Sequence, residues 1–281
     1  MSKKNKLLEL KIKMVKYKNK KLYGINNMDD DELSDTSEFL LGSITKLFTI
    51  LSLLLLHQNK QLDIHDNIGK YIKNNYIKDL KILDIINHRS GLKRMFTDYI
   101  DGPSKIKYKS ATEVYEKWND NNMIDEKLKG TKKHYSNMGY QILGFLIEEL
   151  SGITYSDFVK KNILIPLEMN NTGSEDTNII LYNGDGKKLN KFQKLERNFA
   201  SSSGELKSCV KDLIKFTGFI KLLDKPIQKL LNELSIYKEN KDDIIISHGG
   251  MISGGHSEFQ IIYDKNYECK DIYILMETVK A

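Results

Sequence analysis

Strand-like sequence at both ends of the chain, with a mostly helical middle, limits the possible folds more than any other feature. Residues 8–17 alternate apolar and polar side chains, and 271–278 alternate in the same way. Shorter strands are predicted at 244–247 and 258–263, whereas 44–58 is helix-like and strongly apolar. We therefore predict an α/β fold of the α+β type. One antiparallel sheet is built from both chain termini and flanked by helices, with a large, mostly helical insertion between them.

The size of the chain fits a single domain of this kind. It has 281 residues, of which 40% are hydrophobic and 29% charged, enough apolar mass for a sizeable core. We predict one domain over residues 1–281, with a sheet lobe at about 1–42 and 200–281 and a helical lobe at about 60–199.

The first 21 residues contain nine lysines and one acidic residue, Glu9. Such an arm could bind nucleic acid or an anionic membrane. A solvated, lysine-fringed edge strand is the favoured interpretation, because no nucleic-acid motif accompanies the charge. The arm has no unbroken apolar segment of the kind found in signal peptides. We therefore expect a cytoplasmic protein.

No other feature points to a membrane, a metal or a cofactor. The longest apolar run, Leu47 to Leu56, is about half the length needed to span a bilayer, so no transmembrane segment is predicted. Cys209 and Cys269 have no metal-type spacing. The expected partner is a small-molecule or peptide substrate, and the oligomeric state is left open.

The stretch GSITK at 42–46 opens the apolar helix. Positions three apart lie on one face of a helix, so Ser43 and Lys46 would point the same way. A serine hydroxyl needs a base to become a good nucleophile, and a lysine can be that base if burial lowers its pKa. The alternative is that Ser43 only caps the helix and Lys46 is a surface lysine, since this spacing is frequent by chance.

Two further stretches carry polar groups suited to catalysis. HYSNMGY at 134–140 places the phenol of Tyr135 and the amide of Asn137 just before a helix. The phenol could act as acid or base if cations lower its pKa, and the amide could hold a substrate carbonyl or the lysine head. The alternative is a polar capping loop in which Ser136 or Asn137 is the N-cap.

The second stretch is SHGGM at 247–251, between two strand-like segments. Gly249 and Gly250 at a strand end permit close approach of the backbone to a ligand. An N–H there could pair with the N–H of Ser43 as an oxyanion hole. A tight turn with an incidental His248 is the alternative.

The order of these elements resembles a known superfamily. S-x-x-K near the N-terminal end, Y-S-N in the middle and H-G-G before the last strands are similar to the signature of serine β-lactamases and penicillin-binding proteins. The likeness is strongest to the class C β-lactamase, D-Ala-D-Ala carboxypeptidase and esterase group. It extends to FLLGSITKLFT (39–49), LDIHDNI (62–68), LDIINHRSGL (83–92), the block 135–173 with IPLEM, and SSSGEL (201–206).

The resemblance implies a β-lactamase/transpeptidase-like fold and a serine hydrolase. Such an enzyme forms an acyl-enzyme on an amide, ester or β-lactam carbonyl. The implied catalytic residues are Ser43 as nucleophile, Lys46 to hold or take its proton, and Tyr135 as base or acid. The implied substrate-binding residues are Asn137, His248, Gly249 and Gly250, and the implied oxyanion hole is formed by the N–H groups of Ser43 and Met251.

One departure from the family pattern affects substrate binding. His248 stands where many relatives carry the lysine of K-T-G, and histidine is near its titration point at pH 7. Binding of a substrate carboxylate is then expected to be weaker and more dependent on pH. This weak anchor and the short chain leave an alternative, a catalytically weak or inactive sensor or binding module of the same fold.

Overall fold

The computed structural model describes residues 12–94, 112, 115, 123–125, 128, 133–182, 187–188, 201–252 and 254–279. The start of the predicted strand at 8–17, and most of a helix predicted at 111–119, lie outside these residues. Within them, no helix is long and apolar enough to cross a membrane.

One antiparallel sheet is built from the two ends of the chain, as predicted. Its strands follow the order β2-β1-β8-β7-β6-β5, so the first strand of the described chain pairs with the last. A second, two-stranded sheet joins β3 to β4. The strands are β1 (Ile12–Lys18), β2 (Lys21–Asn26), β3 (Phe39–Leu40), β4 (Lys207–Ser208), β5 (Tyr237–Glu239), β6 (Ile244–Ile252), β7 (Gly255–Tyr263) and β8 (Cys269–Val279).

The helices fall between β2 and β5. They are α1 (Thr45–Gln58), α2 (Ile82–Ile86), α3 (Asn137–Ser151), α4 (Tyr155–Val159), α5 (Ser201–Gly204), α6 (Val210–Phe216) and α7 (Lys225–Lys229). Tighter 3₁₀ turns occur at Gly42–Ile44, Ile68–Lys70, Thr217–Leu222 and Leu230–Glu233, and a π turn at Lys160–Leu164. This arrangement confirms the α+β class and the mostly helical insertion. The division into two lobes stays a prediction.

Helix α1 is buried on every side, as its continuous apolar sequence predicts. All residues from Thr45 to Leu56 are buried, and Lys46 among them is fully enclosed. The inner face of the sheet packs on the same core through side chains such as Phe259 and Met276. A lysine within this core must have polar partners, because burying an unpaired charge is costly.

Strand β6 differs from the sequence prediction. It was expected to end at Ser247, yet it continues to Ile252 in regular register with β7. Gly249 and Gly250 therefore lie inside an extended strand, opposite Glu258 and Ser257. The tight turn that was the alternative interpretation of this stretch is wrong.

Candidate active site

The turn that carries Ser43 is fixed by its fit against β6. Gly42 has a φ of +53°, in the left-handed region that favours glycine. A Cβ at Gly250 would lie 2.0 Å from the carbonyl oxygen of Leu41, so only glycine lets the strand come this close. Ser257 donates to the same oxygen at 2.7 Å. Together these contacts place the half-buried Ser43 beside the strand and at the start of α1.

Three of the predicted catalytic groups meet at Ser43. Its Oγ lies 3.1 Å from Lys46 Nζ and 2.5 Å from the phenol oxygen of Tyr135, which donates to it. No side-chain capping bond is made at the start of the Gly42–Ile44 turn or of α1. The alternative of a capping serine with a surface lysine is therefore wrong.

Lys46 is surrounded by neutral oxygen atoms. Besides Ser43, its Nζ contacts Asn137 Oδ1 at 2.8 Å and the carbonyl oxygen of Ser203 at 2.5 Å. Burial, followed by repulsion from Arg94, holds the pKa of Lys46 well below its ordinary value. A neutral amine has two N–H groups, which suit the Asn137 and Ser203 oxygens. Its lone pair is then left for the hydroxyl proton of Ser43.

Tyr135 differs from the sequence expectation in one respect. Burial raises the pKa of its phenol, although the hydrogen bond to Ser43 and the charge of Arg94 act in the opposite direction. The Arg94 guanidinium lies 5.7 Å from the ring centroid, and Lys46 Nζ lies 4.9 Å from it. The phenol therefore keeps its proton near neutral pH, which suits a proton donor better than a base.

The start of α3 combines the two interpretations offered for it. Ser136 is the N-cap and accepts from the N–H of Gly139 at 2.9 Å, while its own hydroxyl donates to the Lys93 carbonyl at 2.6 Å. Asn137 is the next residue, and its amide oxygen reaches Lys46. The same cap thus sets the position of Asn137 at the site.

Met251 lies beside the Gly42–Ile44 turn that carries Ser43. The N–H of Ser247 bonds to the Ile236 carbonyl on the β5 side of β6, and N–H groups alternate between the two edges of a strand. The N–H groups of Gly249 and Met251 therefore point to that side too, beyond the end of β5. A Cβ at Gly42 would be 2.9 Å from Met251 N, so this backbone nitrogen lies beside Gly42, the residue before Ser43.

His248 is half-buried and faces the site from the inner side of β6. Its Nδ1 lies 2.6 Å from the Gly249 carbonyl oxygen. Burial lowers the pKa of His248 to about 4, although the hydrogen bond to the Gly249 carbonyl acts in the opposite direction. The sequence placed this group near its titration point at pH 7. The structure corrects that expectation, because the ring is neutral there.

An open cavity of about 890 Å³ borders the site on the side of Tyr135 and His248, while Ser43 and Lys46 are not among the residues that line it. Tyr135, His248 and Gly249 line it, together with His88 and Tyr140. The charged residues that line it are mostly basic. They are Lys16, Lys18, Lys133 and Lys238, and the acidic residues Glu258 and Asp271. Its size suits a small-molecule or peptide fragment.

Three groups at the site were missed in the sequence. Arg94 follows a recognisable stretch but carries no signal of its own, since only the tertiary fold brings it to Tyr135. The Ser203 carbonyl is a backbone group, and no residue type marks it. His88 belongs to a stretch that resembles the family, without an assigned role.

The chain matches known proteins over most of its length. The family model described as Beta-lactamase matches residues 17–249. Penicillin-binding protein 4* of Bacillus subtilis is 29% identical over 145 residues, which cover 50% of this chain and 31% of that protein. This chain therefore spans about a third of the length of that curated relative.

Solved structures show the same fold. FmtA from Staphylococcus aureus has a TM-score of 0.73 at 20% identity, covering 99% of this chain and 80% of that one. The D-amino acid amidase of Ochrobactrum anthropi, in complex with L-phenylalanine amide, has a TM-score of 0.73 at 19% identity. That match covers 95% of this chain and 85% of the amidase.

Proposed function

Because this chain belongs to the Beta-lactamase family, we propose that it is a serine hydrolase that forms an acyl-enzyme on Ser43. The observation that carries the proposal is the placement of Ser43 Oγ, 3.1 Å from Lys46 Nζ and 2.5 Å from the Tyr135 phenol. A hydroxyl that lies between an amine of lowered pKa and a protonated phenol has both a proton acceptor and a proton donor within reach.

In the first step, Ser43 attacks the substrate carbonyl. The neutral amine of Lys46 accepts the hydroxyl proton while Oγ bonds to the carbonyl carbon and the C=O electron pair moves to oxygen. The N–H groups of Ser43 and Met251 stabilise that oxyanion. Preorganised donors of this kind are usually the largest single contribution to acyl transfer.

In the second step, the tetrahedral intermediate collapses. The bond to the leaving nitrogen or oxygen breaks, and the phenol of Tyr135 gives that atom its proton. The proton held by Lys46 then restores the phenol. Water attacks the resulting ester of Ser43, with the same groups acting in reverse, and releases a carboxylic acid.

The substrate is proposed to be an amide or ester rather than a β-lactam that depends on its carboxylate. His248 is neutral at pH 7, so it does not provide the cation that a lysine at this position would. Asn137 and the backbone of Gly249 would then hold the substrate through hydrogen bonds, whereas the N–H and carbonyl groups of Gly250 point to β7, where Gly250 pairs with Ser257. The D-amino acid amidase, one of the structural neighbours, acts on substrates of this chemical class, as its name states.

The test is turnover of a substrate panel by three proteins. The panel contains p-nitrophenyl esters, D- and L-phenylalanine amides and a chromogenic cephalosporin. The proteins are the unmodified chain, Ser43→Ala and Ser52→Ala. Ser52 is a matched control because it is buried in the same helix and, among the described residues, its hydroxyl bonds to the Phe48 carbonyl of its own helix at 2.8 Å.

The expected result is hydrolysis of an ester or amide by the unmodified chain and by Ser52→Ala, with a loss of at least about 10³-fold in Ser43→Ala. Equal turnover by Ser43→Ala, or none by the unmodified protein on any member of the panel, would reject the proposal.

A further inference from the structure

His88 occupies a backbone position that is uncommon for any residue other than glycine. It follows α2 with a φ of +60°, in the left-handed region. The N–H of His88 bonds to the Ile85 carbonyl at 3.1 Å and the N–H of Arg89 to the Asp84 carbonyl at 2.7 Å. These are the bonds of a Schellman helix end, where glycine is usual and asparagine is occasional. A histidine held here points to a use for its side chain.

His88 accepts hydrogen bonds from the backbone on both sides of Tyr135. Its carbonyl oxygen accepts the N–H of His134 at 2.8 Å, and its Nδ1 accepts the N–H of Ser136 at 3.1 Å. The backbone groups immediately before and after the proposed proton donor are therefore both fixed by one residue.

The imidazole also packs against the phenol ring itself. The centroids of the His88 and Tyr135 rings are 4.4 Å apart, and Tyr140 lies at 5.2 Å from the same imidazole. Only 3% of His88 is exposed. Since the Tyr140 hydroxyl donates to the Ile86 carbonyl at 2.9 Å, the imidazole and this second phenol are both tied to the end of α2.

The hydrogen bond from Ser136 settles the tautomer of the ring. Because Nδ1 accepts a proton, the ring hydrogen must be on Nε2. Burial lowers the pKa of His88 to about 3, and the nearby charge of Lys133 adds to the effect, so the ring stays neutral over the working range. A protonated ring would lose its acceptor for Ser136.

We infer that His88 is a positioning residue for the proposed reaction: by accepting the N–H of Ser136 it fixes the phenol of Tyr135 within hydrogen-bond distance of Ser43. The inference rests on the proposed function, and it assigns His88 no contact with the substrate. A role in stability alone would change the free energy of unfolding and leave the acylation rate of the folded protein unchanged.

The test compares two substitutions that distinguish the contribution of the hydrogen-bond acceptor Nδ1 from that of the aromatic ring. His88→Asn keeps an acceptor near the place of Nδ1 and suits the left-handed backbone. His88→Phe keeps an aromatic ring but has no acceptor. For each folded variant, the rate of covalent labelling of Ser43 by a fluorophosphonate is followed by intact mass, and KM and kcat are measured on the best ester.

The inference predicts labelling by His88→Asn within about threefold of the unmodified protein. His88→Phe is predicted to label at least about tenfold more slowly, through kcat rather than KM. In a Tyr135→Phe background no phenol remains to be positioned. There, His88→Phe should lower the labelling rate by no more than about twofold.

Each other outcome counts against the inference. Equal labelling by His88→Phe and His88→Asn, or a full loss by His88→Phe in the Tyr135→Phe background, overturns it. If His88→Phe does not fold, His88→Gly removes the acceptor while relieving the backbone, and it must show the same slow labelling. Failure of the unmodified protein to label would instead reject the proposed function.

Discussion

At the residue scale, the surroundings of Lys46 account for its lowered pKa and so for its proposed role as the base. In the described part of the chain its hydrogen-bond partners are a hydroxyl, an amide oxygen and a backbone carbonyl, and none of them is a carboxylate. No carboxylate among these partners compensates a buried positive charge, so the neutral amine is favoured.

This environment predicts the pH dependence of acylation. Lys46 must be neutral to accept the Ser43 proton, so the rate should rise with pH through a midpoint well below the ordinary lysine value of 10.5. The raised pKa of Tyr135 keeps the phenol protonated, and the rate should then stay high up to about pH 10. Stopped-flow labelling from pH 5 to 10 measures this profile. A rate that is low at neutral pH and still rising steeply at pH 10 would be inconsistent with Lys46 as the base.

His248 gives a prediction about specificity. His248→Lys should restore a permanent cation and speed acylation by carboxylate-bearing β-lactams by about tenfold, since one ion pair contributes on the order of 1 kcal/mol. Neutral p-nitrophenyl esters serve as the control and should gain little. A similar increase in acylation rate for both substrate classes would mean that residue 248 does not recognise the charge of the substrate.

The sequence was informative at this scale where spacing along one element decides geometry. The separation of Ser43 and Lys46 along the chain predicted their shared direction, because it depends only on helical periodicity. The Ser203 carbonyl and Arg94 could not be predicted, since their places at the site depend on packing between distant segments. The pKa directions of Tyr135 and His248 also required their burial to be known.

At the element scale, the proposed oxyanion hole depends on the contact between β6 and the Gly42–Ile44 turn that carries Ser43. The N–H of Met251 lies beside Gly42 only because Gly250 lets the strand approach Leu41. The two glycines of the strand are therefore not equivalent. At Gly249, the nearest atom to an added Cβ would be the Ser257 carbonyl oxygen at 3.9 Å.

This difference makes a matched pair of substitutions. Gly250→Ala should lower the free energy of unfolding by about 1–3 kcal/mol and slow Ser43 labelling at least about tenfold, because the strand must move away from Leu41. Gly249→Ala should change stability by less than about 1 kcal/mol. Urea denaturation and labelling rates measure both effects. Equal stability losses in the two variants would show that the approach at Gly250 is not tight.

The limits of sequence interpretation at this scale are visible in β6. Glycine pairs are typical of turns, so Gly249 and Gly250 led to the prediction of a strand that ends at Ser247. The strand continues because β7 offers nine paired positions, from Tyr263 to Gly255, and this pairing outweighs the local preference. Glycine is needed only at Gly250, where an added Cβ would meet the Leu41 carbonyl oxygen at 2.0 Å and Ser257 Oγ at 2.2 Å.

At the scale of the whole molecule, the predicted closure of the sheet from both chain ends was correct. Alternating patterns at the two ends specified strands, and a single sheet is the simplest way for both to bury one face. The basic N-terminal arm was less well predicted. Lys13 is not solvated but fully buried, with its Nζ at 2.7 Å from Asp29, 2.5 Å from Asp31 and 2.9 Å from the Ile180 carbonyl.

The buried histidines predict how stability of the whole protein depends on pH. His88 has a folded-state pKa of about 3 and an ordinary value of 6.5, so the unfolded chain binds its proton first as pH falls. Stability should therefore decrease from pH 6.5 towards 4, with His88 contributing about 2 kcal/mol of the loss at pH 4.5. His248 acts in the same direction.

The check is urea denaturation at pH 7 and pH 4.5 for the unmodified protein and His88→Asn. The difference in unfolding free energy between the two pH values should be smaller in the variant, which lacks the titrating ring. An unchanged difference would show that His88 does not titrate between the folded and unfolded states.

The most direct measurement of the central claim is the site of covalent modification. The protein is treated at pH 8 with a fluorophosphonate, digested and mapped by mass spectrometry, alongside Lys46→Ala and Tyr135→Phe. We predict a single adduct on Ser43, formed at least about 100-fold more slowly in Lys46→Ala. An adduct on another residue, or labelling of Ser43 at an undiminished rate in Lys46→Ala, would contradict the account.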